Sequence, residues 1–202
     1  MKACLPKLAH LLAVLASLFL SLQDARACAC CTNTGQRHDA VETLDSDRLD
    51  EIGWLRFAPV AQLFTGEADP DMIKGIATPS SRYDLRVRQE KDRWVFAFRD
   101  ESGRSGTLVL AMPKSISVLA VDPRRGEREG GTGPSLYREW KLTSRAAGTG
   151  IFAPGMGKTQ RITLVLQGHG NSCASASDFT HWTLAVSGRV ARYHLFGALL
   201  QP

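Results

Sequence analysis

The sequence predicts an all-β protein: a single antiparallel barrel or sandwich of about nine strands, preceded by a short helix or helical turn. Three observations carry this. Short runs rich in β-branched and aromatic residues recur along the chain with alternating polarity. Gly, Ser and Asp turn signals separate them at close spacing. Two successive turns place apolar residues on one shared face, the consistency that a meander requires.

The elements follow in chain order. Residues 45–55, DSDRLDEIGWL, predict a short helix capped by Asp45 or Ser46. Residues 54–64 read as a strand, and 68–75, ADPDMIKG, as a turn or a single helical turn. From residue 83 a meander is expected. A turn on Lys91-Asp92 sets Leu85 opposite Phe98 and Val87 opposite Phe96. A second turn on Ser102-Gly103 sets Phe98 opposite Thr107 and Phe96 opposite Val109. Residues 107–112, apolar on both faces, predict a central strand, and 116–123 another. The charged, Gly-rich stretch 124–134 is expected to be a surface loop. Strands are expected over 136–143, 161–168, 179–186 and 189–200.

Residues 1–27 have the pattern of a cleaved secretory signal. Lys2 and Lys7 lead an apolar run from Leu8 to Leu22, too short for a comfortable membrane span, and Ala25-Arg26-Ala27 is an A-x-A cleavage site. Ala27-Cys28-Ala29 is a second, overlapping one. Arg26 before the cut argues against a lipid anchor on Cys28. Residues 28–202 then form one β-rich domain with a cysteine cluster at its start, exported to a periplasmic or extracellular location and without a transmembrane segment. The formal net charge of +5 is mild and charges alternate in sign along the chain, which excludes a nucleic-acid partner as the expectation.

Cys28, Cys30, Cys31 and Cys173 remain after cleavage, and an oxidising compartment favours disulfides. Adjacent Cys30 and Cys31 are poor partners for each other, so one of them is expected to reach Cys173. That clip closes a long loop and would contribute roughly 4–5 kcal/mol on the chain-entropy estimate. The same four cysteines with His169 could instead hold copper or zinc, since thiolate and imidazole suit soft metals; C-x-C-C spacing matches no defined zinc module. A C-x-x-C redox pair, Cys28 with Cys31, lacks the helix-opening context such pairs use.

Two further histidine sites are predicted. A two-residue loop on Ser187-Gly188 would make His181 and His194 cross-strand neighbours, with Cβ atoms about 5 Å apart. Trp182, Leu184, Tyr193 and Leu195 then face the core, and Phe179, Thr183, Arg192 and Phe196 share the histidine face. The loop 168–178 gathers His169, Ser172, Cys173 and Asp178, which suggests a thiol or serine enzyme, although no G-x-S-x-G elbow is present. Residues 153–159, APGMGKT, are not a phosphate loop, because Phe152 stands where the motif needs glycine. The expected function is therefore a non-enzymatic exported binding or structural β-domain without a cofactor. A soft-metal binder is the alternative, and an enzyme centred on 168–178 the second alternative.

Overall fold

Strand β1 (Arg37–Thr43) and helix α1 (Ser46–Gly53) open the described part of the chain. There follow β2 (Arg56–Phe57), β3 (Val60–Leu63), β4 (Arg82–Gln89), β5 (Arg93–Asp100), β6 (Ser105–Ala111) and β7 (Ser115–Val121). The remaining strands are β8 (Leu136–Arg145), β9 (Ala147–Gly150), β10 (Arg161–Gly170), β11 (Phe179–Ser187) and β12 (Arg192–Leu200). The computed structural model describes residues 37–66, 73–121, 136–170 and 176–200. The signal, all four candidate cysteines, Ser172, the loop expected over 124–134 and most of the turn expected over 68–75 lie outside the described residues.

The fold is mostly β with a short helix. One 12-stranded antiparallel sheet runs β1-β7-β8-β10-β11-β12-β3-β4-β5-β6-β9, with β2 added on β12. Strand pairing does not close it. However, β9 continues the line of β8 after the single residue Ala146, so the far end of the sheet is tied back to its middle by the chain itself. β6 consequently lies against β8 and β10, strands remote from it in the pairing order. The buried face is the one the alternation marks out: β5 buries Trp94, Phe96 and Phe98, and β11 buries Trp182, Leu184 and Val186. Phe57 joins the two regions, with ring centroids 5.6 Å from Phe96, 5.7 Å from Trp182 and 5.8 Å from Trp94. Each such aromatic contact adds about 0.5–1.5 kcal/mol beyond its burial.

Twelve strands replace the expected nine for local reasons. The run 54–64 is divided at Ala58-Pro59, because proline has no N–H for the ladder. β1 is an edge strand of mostly exposed residues, and β9 contains only Ala, Gly and Thr, so neither has the apolar alternation that identifies a strand.

Three hairpins test the expected registers. At β4–β5, Leu85 faces Phe98 and Val87 faces Phe96, as expected, about a turn closed by the Glu90 N–H on the Arg93 carbonyl at 2.9 Å. At β5–β6 the register differs by one: Phe98 faces Gly106 and Phe96 faces Leu108. The Gly103 N–H bonds the Asp100 carbonyl, and the Asp100 N–H bonds that of Arg104, each at 2.9 Å. Gly103 sits in the left-handed region at φ 81°, and the loop takes three residues instead of two. The one-residue slip puts Leu108 and Leu110 in the core in place of Thr107 and Val109.

At β11–β12 the loop spans Gly188 to Ala191, and Ser187 pairs with Arg192. Ala191 is fully buried against Gly75 and Gly155, and Lys74 and Arg192 exchange two backbone hydrogen bonds of 3.0 Å. This packing holds the loop open where the local Ser-Gly signal alone implies a tight turn. The displacement is even, so Trp182, Leu184, Tyr193 and Leu195 still face the core.

Candidate functional site

Helix α1 covers one end of the sheet and creates a groove there. Asp45 starts the helix, its carboxylate accepting the Arg48 N–H at 3.0 Å. Ile52 is driven into the core, while Trp54, just past the last turn, is 76 % exposed. The helix end is closed by two side chains. Arg56 donates through Nη1 to the carbonyls of Gly53, Trp54 and Leu55 at 3.1–3.2 Å. Gln89 of β4 donates through Nε2 to those of Ile52 and Leu55 at 3.3 Å. A cation at a helix C-terminus meets the negative end of the dipole. Gln89 also joins α1 to the β4–β5 hairpin, and between the two lies an open groove of about 1070 Å³.

Its apolar lining comes from Leu49 and Trp54 on the helix side and from Val87 and Trp94 on the inner face of the sheet. Asp50, Arg56, Arg88, Glu90 and Lys91 supply the charges. Glu90 is already neutralised: Arg93 and Arg88 each donate to it at 2.7 Å and hold its carboxyl below the usual range. Lys91 has no side-chain ion pair or hydrogen bond among the described residues, and Arg56 uses only Nη1. Sequence reasoning missed this site. The available signal was a tryptophan placed immediately after a helix stop at Gly53, where an amphipathic helix has no further apolar face to fill.

A second cluster lies at the C-terminal end of β10. Arg138 of β8 is 3 % exposed, with its guanidinium carbon 5.7 Å from the rings of both Trp140 and Phe179. Its Nη1 is 3.5 Å from Asp178 Oδ2. Glu51 of α1 accepts the Ala176 N–H, and burial pushes its carboxyl above the ordinary value despite that bond and the nearby Arg138 and Arg48. A bulge in the β10–β11 ladder, where Gln167 faces His181 but Gly168 faces Phe179, turns Phe179 inward onto Trp140 at 5.2 Å. Phe179 therefore belongs to the core and not to the histidine face. The bulge also brings Asp178 under β10, where a Cβ on Gly170 would run into its carboxyl group.

The predicted histidines are dispersed. His169 is exposed on the outer face, 5.2 Å from the Tyr137 ring, whereas Asp178 packs on the inner face at Gly170. Of the four residues of the expected enzyme site, the two that are described, His169 and Asp178, thus sit on opposite faces of the sheet. His181 faces Ala198 and His194 faces Ala185, so the expected cross-strand pair does not form. Both side chains are on the outer face, four positions apart along β11, or about 13 Å at the rise of a strand. Among the described residues no three His, Cys, Asp or Glu side chains come together as a metal site.

No protein-family model matches the chain, and no match was found among curated proteins or solved structures.

Proposed function

We propose that the protein is an exported, non-enzymatic binding module, with its N-terminus stapled to Cys173 by a disulfide and its ligand taken at the groove between α1 and the β4–β5 hairpin. One observation carries the binding reading: Trp54, 76 % exposed, stands at a groove with an apolar wall and a charged rim, at the open end of a β-sheet core. Mouths of β-structures and exposed aromatics beside concave apolar surface are where soluble proteins take ligands. Export and the staple rest on the sequence, on the signal pattern of residues 1–27 and on the isolation of Cys173 from the other three mature cysteines.

The deciding experiment is an intact mass, a free-thiol count and a metal analysis on protein recovered from the oxidising compartment. The expected result is a chain beginning at Cys28 with no free thiol and no metal. Stoichiometric copper or zinc, lost in Cys173→Ser, would replace this reading with the soft-metal one. His169, exposed at the end of β10, would then be the natural imidazole ligand.

A further inference from the structure

We infer that the groove takes a small amphipathic anion: an apolar body of acyl or aromatic type carrying one carboxylate or similar headgroup. This rests on the binding reading above and adds the chemistry of the ligand.

Leu49, Val87 and the rings of Trp54 and Trp94 give the groove one apolar wall, beside a rim of polar and charged side chains. A hydrocarbon body loses nothing there and covers the exposed indole of Trp54. The charges select the headgroup. Of the two acids in the lining, Glu90 is satisfied by Arg88 and Arg93, which leaves Asp50. Against it stand Lys91, without an ion-pair partner among the described residues, and Arg56, whose Nε and Nη2 make no hydrogen bond there. A wholly apolar ligand would leave those cations unpaired as it excluded water from them, whereas an anion pairs with them. A cation would meet a net positive lining.

Trp54 also provides the readout. Of the four tryptophans, Trp94, Trp140 and Trp182 are buried, so the solvent-exposed component of the emission belongs to Trp54. Octanoate, added to the whole mature protein, should shift that component to shorter wavelength and saturate, and should protect it from acrylamide quenching. Lys91→Glu, an exposed substitution in a turn, should weaken octanoate by about threefold to fivefold, the scale of an exposed ion pair. Uncharged 1-octanol should bind more weakly than octanoate and be indifferent to Lys91→Glu. Asp50→Asn should leave octanoate binding unchanged or tighten it.

Equal binding of octanol and octanoate, or indifference of octanoate to Lys91→Glu, overturns the anionic headgroup. A clear loss of octanoate binding in Asp50→Asn does the same, because an acid that repels the headgroup cannot be needed to hold it. Absence of any saturable change with either probe overturns the ligand class altogether. Failure of the underlying reading is seen elsewhere, in free thiols or bound metal on the exported protein.

Discussion

Two arginine–carboxylate clusters in this molecule, one around the buried Asp100 and one around the buried Arg138, behave oppositely. Arg104 and Asp100 are four residues apart in one hairpin loop. Arg104 gives Asp100 its backbone N–H at 2.9 Å and its Nε at 2.7 Å. Burial would raise the Asp100 carboxyl, but these donors outweigh it and hold it below the ordinary range. In the other cluster Glu51, Arg138 and Asp178 come from distant parts of the chain, and two carboxylates share the neighbourhood of one buried guanidinium. There burial wins for Glu51. A pair made by its own turn is saturated as soon as the hairpin forms. A cluster made by tertiary packing distributes its donors among competing acids, so its charge balance depends on pH.

The largest expected effect sharpens this contrast. Arg138→Met keeps an unbranched apolar stem and removes the guanidinium with its charge. It should cost about 3–5 kcal/mol in urea unfolding at pH 7, the scale of breaking a buried ion pair. The loss should shrink as the medium is acidified and the stranded carboxylates take up protons. A cost that stays the same from neutral to mildly acid pH would mean that Arg138 acts by packing on Trp140 and Phe179 alone.

Glu51→Gln probes the other side of the same cluster. Because the folded carboxyl is raised, the folded protein keeps a proton that the unfolded chain has already released. Stability should therefore fall as pH rises from the ordinary glutamate range through the raised folded value. Glutamine, which still accepts the Ala176 N–H, should flatten that slope at a cost of no more than about 1 kcal/mol. Titration of the melting temperature against pH for the two proteins decides it.

At Asp100 the sign reverses. Its folded carboxyl is lowered, so its contribution is present above the ordinary aspartate value and disappears as pH falls through the folded one. Asp100→Asn should lower the melting temperature at neutral pH and converge with the parent in strong acid. The smallest effect is expected at Gly103→Ala. The left-handed φ of 81° penalises alanine by about 1 kcal/mol, while the space around a Cβ is open except for the Arg99 guanidinium at 3.5 Å. A loss well above that would mean that the local pair is less self-contained than its geometry implies.

Period-two alternation, with the helix signal from Asp45 to Gly53, was enough to read an antiparallel β-fold, the inner face of most strands and the helix α1. Those follow from local physics, because side chains point to alternate faces wherever the backbone is extended. The Lys91-Asp92 register was legible for the same reason. The β5–β6 register was not, because a single left-handed glycine changes the loop by one residue. The β11–β12 register was not, because Ala191 is drawn into a distant pocket made by Gly75 and Gly155.

The groove was out of reach of any linear reading. Gln89 reaches the end of α1 from more than 30 residues away, through hydrogen bonds to the Ile52 and Leu55 carbonyls, and only this packing sets Trp54 and Arg56 in one groove with Lys91. The charges that alternate in sign along the chain carry no signal there either. Which of them share a groove is decided by strand order and helix placement, and these follow from burying the aromatic core around Phe57. The sequence by itself thus determined which residues face inward on most strands, though not on β6 or at Phe179; the tertiary structure alone decided which distant residues meet, because core packing sets the long-range pairings and local alternation does not encode them.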